Sequence, residues 1–161
     1  MRESHQVEIS LREQYLNRVG TLLNDAKAWC LKHELQVESR SHTVEDQDDG
    51  KYEVTALHIF KDDTLLAKLV PIGKDIIGAD GRVDIVGWLG SRYLLFVSEE
   101  ILAPKCATIV THHPERASTA RLVRGVKEDG WYWLESNVRR AVRVDEDLFI
   151  DLVTDVSDYD L

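Results

Sequence analysis

Residues 73–90 contain the side chains and glycines best suited to a phosphate-binding or catalytic loop. The segment begins at Gly73, ends at Gly90 and holds five of the nine glycines of the chain. Glycine is favoured where the backbone needs positive φ or must approach a ligand closely. The charged residues within the segment are Lys74, Asp75, Asp80, Arg82 and Asp84. Such a composition is typical of either a ligand-binding loop or the tight turns of a sheet.

The glycine spacings do not complete a nucleotide-binding motif. Gly73 and Gly78 are spaced as in a phosphate loop, but the Lys-Ser/Thr pair that follows the second glycine of that loop is missing. Gly78 and Gly81 open no predicted helix, which disfavours a dinucleotide-binding fold. The segment therefore predicts two turns, at residues 78–81 and 89–91, with a polar recognition surface as the alternative.

Asp84 lies between two β-branched residues, Val83 and Ile85, close to a predicted turn. In this it resembles the metal-binding aspartate of restriction-type nucleases. Those sites also need a second carboxylate and a lysine about one strand later, to hold a divalent ion and stabilise the displaced oxygen. The next predicted strand, residues 93–98, carries neither. We therefore predict that Asp84 lies on the solvated face of its strand, paired with Arg82 or Arg92.

Histidines and cysteines offer no recognisable metal site. His112 and His113 are adjacent, so on a strand they point to opposite faces and seldom bind one metal together. No Cys-x-x-Cys or His-Glu-x-x-His pattern occurs, and we predict neither a metal nor a cofactor. Cys30 and Cys106 lie far apart in apolar segments, which predicts buried free thiols and a cytoplasmic location.

Basic and aromatic residues concentrate between Arg121 and Arg143, around the Trp131-Tyr132-Trp133 run. Arginine next to aromatic side chains could stack single-stranded nucleic acid. The formal net charge of −9 opposes this, because it repels nucleic acid and anionic membranes. No apolar run approaches the roughly 20 residues of a membrane span, and no secretory leader is recognisable. The sequence thus predicts a partner that is neither nucleic acid nor membrane.

Periodicity predicts the elements that position these residues. Apolar residues recur every three or four positions over residues 11–32, which indicates a helix begun by a Ser10–Glu13 capping box, and Gly20 within it suggests close packing. Alternating patterns then predict antiparallel strands at 51–60, 64–70, 82–88 and 92–97. Weaker strand signals follow at 35–39, 107–110, 120–126, 131–135 and 139–144, and a second helix is predicted near 147–155 with Asp145 as its cap.

These elements predict a single α+β domain over residues 1–161. Its sheet is a mainly antiparallel meander of about five to eight strands, with an N-terminal amphipathic helix and a short C-terminal helix packed on it. Because side chains alternate along a strand, Trp131 and Trp133 are expected to share a face while Tyr132 points away, and one of these two faces is expected to be core.

Two classes of function fit this sequence. The first is a non-enzymatic binding or regulatory protein, such as an inhibitor or immunity-type protein, whose acidic surface engages a basic protein. The residues predicted to bind that partner are Glu45, Asp46, Asp48, Asp49, Asp80, Arg82, Asp84, Asp155, Asp158 and Asp160. The alternative is a small metal-dependent hydrolase or nuclease-like enzyme with its site at residues 73–90, supported by His112 or His113. No catalytic pair occurs at a motif spacing, which favours the first class.

Overall fold

A computed structural model describes residues 10–76, 79–98, 126, 128–135 and 140–159. Within these ranges the order along the chain is one helix, seven strands and a second helix. The elements are α1 (Leu11–Lys32), β1 (Gln36–Asp46), β2 (Gly50–Lys61), β3 (Thr64–Gly73), β4 (Gly81–Gly87), β5 (Gly90–Val97), β6 (Gly130–Glu135), β7 (Arg140–Arg143) and α2 (Glu146–Ser157).

Helix α1 begins and ends as its sequence predicts. The Ser10 hydroxyl accepts a hydrogen bond from the Glu13 amide at 3.1 Å, which satisfies one of the amides left unpaired at a helix start. The helix buries one side, formed by Tyr15, Val19, Leu22, Leu23, Ala26 and Cys30. Glu34 lies in the turn between α1 and β1 and has a φ of 59°. The prediction of close packing at Gly20 is wrong, because apart from its chain neighbours and the backbone of α1 itself no described atom lies within 4 Å of the position a Cβ would take there.

The described strands form one antiparallel sheet in sequence order, from β1 to β7. Because each strand reverses the one before it, alternate connections lie at opposite ends of the sheet. The β1–β2 turn and the end of β3 lie at one end, which we call the hairpin-turn end. The β2–β3 and β4–β5 turns lie at the other, which we call the Trp88 end.

Both helices pack on the same face of the sheet. Leu69, Ile85 and Leu94 are fully buried there and belong to one apolar cluster with Tyr15 of α1 and Phe149 of α2. Burying side chains of this size contributes about 1.5–3 kcal/mol each. The opposite face carries a second, smaller buried cluster of Val97, Tyr132 and Ala141.

Helix α2 starts at a defined cap. The Asp145 carboxylate accepts a hydrogen bond from the Leu148 amide at 2.9 Å, and Glu146 and Asp147 follow in the first turn, where the helix dipole favours acids. The helix is longer than predicted at both ends, and it is followed by Asp158 as its C-cap, whose φ is 58°.

The predicted fold class is confirmed: a helix, an antiparallel sheet and a second helix form an α+β meander. Four details of the sheet differ from prediction. Strand β1 continues to Asp46, well beyond the predicted 35–39. Strand β3 continues to Gly73 through a register shift after Pro71. The β4–β5 hairpin closes on a Gly87–Gly90 pair rather than at residues 89–91. Tyr132 is buried as well as Trp131, because both faces of β6 are covered. The strands predicted at 107–110 and 120–126 lie outside the described residues except for Val126.

Candidate functional site

The β4–β5 turn presents two large apolar side chains to solvent. Trp88 and Leu89 form its two central residues, and their exposed fractions are 75% and 50%. Tyr159, just after α2, is also exposed. Two-residue hairpin turns normally carry glycine, asparagine or aspartate, so a Trp-Leu pair at this position is unusual.

The exposed turn is nevertheless held firmly against the end of α2. The Trp88 indole N–H donates to the carbonyl of Ser157 at 2.8 Å, and the Leu89 amide donates to the carbonyl of Val156 at 3.0 Å. These carbonyls lie in the last turn of α2, where no further helical partner is available. The turn therefore caps the helix, and the capping bond fixes the orientation of the indole.

Acidic residues line the exposed side of α2 beside this turn. Asp151, Asp155 and Asp158 follow at spacings of four and three residues, so they share one face of the helix, and all three are exposed. The helix C-terminus adds a partial negative charge of its own. We call Trp88, Leu89, Tyr159, Asp155 and Asp158 together the Trp88 surface.

Gly87 allows the turn and the helix to approach this closely. A Cβ on Gly87 would lie 2.3 Å from the carbonyl oxygen of Val156, which is backbone and cannot move aside without moving α2. We expect Gly87→Ala to lower the free energy of unfolding by about 2–3 kcal/mol, measured by urea unfolding. Gly20→Ala is the matched control, and there added helix propensity is expected to stabilise the protein by about 0.5–1 kcal/mol. Equal effects of the two substitutions would contradict the close approach.

The predicted acidic residues of the β1–β2 turn lie at the hairpin-turn end. Glu45, Asp48 and Asp49 are exposed there. Asp80, which directly precedes β4, is half-buried at the same end. The structure therefore divides the predicted binding residues between the two ends of the sheet, and Asp160 lies outside the described residues.

Asp46 is an exception, because its carboxylate is buried within the protein. It accepts hydrogen bonds from the Tyr52 hydroxyl and from the Lys74 amide. Next to it, the Tyr15 hydroxyl accepts from the Gly73 amide at 3.1 Å and donates to the carbonyl of Arg82 at 2.9 Å. Asp46 thus links the β1–β2 turn to the end of β3 and does not reach the acidic surface.

Lys74 is a buried cation at the same end. Its ammonium lies 2.8 Å from the Asp49 carboxylate and 3.1 Å from that of Asp75. Burial lowers the pKa of Lys74, but the hydrogen bonds to Asp49 and Asp75 outweigh it, so that the pKa is raised above its ordinary value. The lysine is therefore charged and compensated, and part of the acidic charge of the turn is neutralised internally.

Arg82 and Asp84 form a closed pair on the sheet face opposite the helices. The guanidinium donates twice to the carboxylate, at 2.7 and 3.1 Å, and also stacks on the Tyr93 ring at 4.8 Å from its centroid. The hydrogen bonds to Asp84 raise the pKa of Arg82. Of the two predicted partners of Asp84, the structure thus pairs it with Arg82, and each carboxylate oxygen accepts one of the two hydrogen bonds.

A groove of about 230 Å³ lies between α1 and strands β5–β7. Its walls include Trp29, Phe96 and Trp131. Arg18 lies over the Phe96 ring, 4.3 Å from its centroid, and Arg143 pairs with Glu128 at 2.6 Å. Because two aspartates line the groove with the two arginines, it offers no net charge, and it is smaller than typical ligand pockets.

The described ranges contain neither a cluster of metal ligands nor a membrane-spanning helix. No group of three or more histidine, cysteine, aspartate or glutamate side chains there could hold a metal ion. No helix in those ranges is long and apolar enough to cross a membrane. His112, His113, Cys106 and Arg121 lie outside them.

Comparison of the chain with protein-family models, with curated proteins and with solved structures gives no match.

Sequence reasoning identified the acidic residues of the Trp88 surface but missed Trp88 itself. Trp88 is the last residue of the predicted strand 82–88, and aromatic side chains on strands commonly lie in the core. The available signal was its position: a Trp-Leu pair enclosed by Gly87 and Gly90 must occupy the tip of a hairpin, where a large side chain has little core to enter.

Proposed function

We propose that this chain is a non-enzymatic protein-binding module that engages a basic protein segment through the Trp88 surface. The observation that carries the proposal is the exposure of Trp88, whose indole remains accessible while its N–H is fixed to the end of α2. Tryptophan is the residue most enriched among those that dominate binding energy at interfaces. A ring that is already oriented loses less conformational entropy on binding than a mobile one.

The charges beside Trp88 determine the chemistry of the partner. Asp155 and Asp158 are exposed at the end of α2 whose Ser157 carbonyl accepts from the indole N–H, and the C-terminal end of the helix dipole has the same sign. An apolar side chain flanked by lysine or arginine would complement this surface. Opposite charges raise the association rate and exclude acidic competitors.

The acidic hairpin-turn end acts separately from this surface. Strand β4 spans the sheet between the two ends with seven residues, which corresponds to about 23 Å at the rise of a β-strand. That separation exceeds the Debye length of about 8 Å at physiological salt. The two acidic groups therefore contribute independently, and the Trp88 surface is the one that combines charge with apolar area.

An inhibitor or immunity-type protein for a basic target is the narrower form of this proposal. Such proteins rely on charge complementarity for fast association, and the net charge of −9 suits that role. Cys30 is a buried free thiol, which is typical of a reducing compartment, and we propose a cytoplasmic location.

The experiment compares proteins retained by wild-type and Trp88→Ala baits from a lysate of the source cells. We expect at least one basic protein to be retained by wild type, to be lost with Trp88→Ala and to decrease as salt rises. With the purified partner, Trp88→Ala is expected to raise the dissociation constant about 30-fold or more, as measured by calorimetry. Asp155→Asn/Asp158→Asn is expected to slow association and to flatten its salt dependence.

Leu31→Ala is the matched control, because Leu31 is also highly exposed but lies on α1. It should leave the retained proteins unchanged. Circular dichroism of each bait checks that it is folded. The proposal fails if wild type retains no protein, or if Trp88→Ala retains the same proteins as wild type.

A further inference from the structure

Strand β1 forms one edge of the sheet that the described residues build. Among the described residues β1 pairs only with β2, through eleven consecutive residue pairs without a bulge. The four residues 38–41 are all exposed. An edge strand presents a row of backbone amides and carbonyls that can pair with another strand. Natural proteins block long straight edges with proline, bulges or charges, and β1 has only charges.

Those charges are arranged so that the strand complements itself. Glu38 and Arg40 lie on the same side of the strand, where they form an ion pair with each other. In an antiparallel pair of two β1 strands centred on Ser39, each Glu38 lies opposite the Arg40 of the other copy. Shifting the register by two residues in either direction places Glu38 opposite Glu38 or Arg40 opposite Arg40. Opposite charges stabilise such cross-strand pairs and like charges destabilise them.

We propose that two copies of this chain associate through antiparallel pairing of β1, with a two-fold axis at Ser39. The pairing covers residues 36–42 of each copy and joins the two sheets into one. The axis is perpendicular to the sheet, so the helices of both copies lie on the same face. The interface is isologous, as in most symmetric dimers. It uses neither Trp88 nor α2, so it stands or fails independently of the proposed partner.

Charge reversal tests the register. In sedimentation velocity of the full chain, we expect wild type to pass from monomer to dimer as concentration rises from about 5 to about 500 µM. Glu38→Arg and Arg40→Glu each place like charges opposite one another twice, and each is expected to weaken the dimer about tenfold or more. The double variant E38R/R40E restores the complementarity and is expected to restore the dimer.

The two single variants change the net charge in opposite directions, so a general charge effect cannot weaken both. Glu53→Arg, an exposed charge reversal on β2, is the matched control and is expected to leave dimerisation unchanged. A wild type that stays monomeric over the whole range would overturn the proposal. So would a dimer that is insensitive to both single reversals.

A cysteine at the axis provides a second measurement. Ser39→Cys would place two thiols on facing residues, whose Cα atoms are about 4.5–5.5 Å apart and can form a disulfide. Thr43→Cys would place its thiols about 27 Å apart along the paired strands. On a non-reducing gel we expect Ser39→Cys to form covalent dimers and Thr43→Cys to behave as wild type. Equal cross-linking of both variants, or none of Ser39→Cys, would exclude the proposed axis.

Discussion

Raising the pH from about 8 to about 11 is expected to lower the free energy of unfolding by about 5 kcal/mol. Three buried groups, one thiol and two phenols, carry most of this effect. Burial raises the pKa of the Cys30 thiol from its ordinary value of 9.0 to about 12. Burial also raises the pKa of Tyr15 well above its ordinary value. For Tyr52, burial and the hydrogen bond to Asp46 both raise the pKa.

The direction follows from proton binding in the two states. In the unfolded chain each group releases its proton near its ordinary pKa, whereas the folded protein retains it until the raised pKa is reached. Above the ordinary value the unfolded state binds fewer protons, so stability falls as pH rises. Each group contributes about 1.4 kcal/mol per pH unit within its window. The stabilisation is fully present below about pH 8, where none of the three groups ionises appreciably in the unfolded chain.

Urea unfolding at a series of pH values, followed by tryptophan fluorescence, measures this loss. The variant Cys30→Ala removes the group with the lowest ordinary pKa, so it is expected to reduce the fall between about pH 8 and about pH 11 by roughly half. The comparison uses the dependence on pH and is unaffected by the cost of the substitution itself. A free energy of unfolding that stays constant over this range would contradict the burial of these groups.

Asp46→Ala is expected to lower the free energy of unfolding by about 3 kcal/mol. The substitution removes the acceptor of both the Tyr52 hydroxyl and the Lys74 amide, and leaves these donors without a partner at a buried position. An unsatisfied buried donor costs about 1–3 kcal/mol. Asp46→Asn keeps one acceptor oxygen, so it is expected to lower the free energy of unfolding by less than Asp46→Ala does.

The matched control is Asp48→Ala, which removes an exposed carboxylate from the same turn. Its effect is expected to stay within about 0.5 kcal/mol, as is usual for surface positions. Thermal and urea unfolding of the three variants give the comparison. If Asp46→Ala and Asp48→Ala cost the same, Asp46 does not hold the turn to the end of β3.

The order of elements was predictable because it depends on local patterns. The 3.6-residue period of α1, its Ser10 cap and the short turns between β2 and β5 each operate over a few neighbouring residues. The β2–β3 and β4–β5 hairpins follow from them, since strands joined by two residues must lie side by side and antiparallel. The predicted strand β3 is too short, because its last residues pair with β4 only after a register shift, and hydrophobic periodicity does not reveal such a shift.

The candidate site was only partly predictable, because it depends on which residues meet from distant parts of the chain. Asp46 and Asp48 are two residues apart in one acidic turn and differ little in sequence context. Only the tertiary structure places the Asp46 carboxylate against Tyr52 and Lys74, while Asp48 remains in solvent. The same holds for Lys74, whose burial depends on the paired carboxylates of Asp49 and Asp75.

By itself the sequence determined that this chain is an acidic α+β protein with a central antiparallel sheet, and which residues carry its charge. The tertiary structure decided that those charges lie at two separate ends and that Trp88 stands exposed at one of them. The physical reason is that local patterns select helices, strands and turns, whereas exposure is set by long-range packing. Trp88 remains outside the core because the last turn of α2 reaches the β4–β5 hairpin and binds its indole N–H from the side.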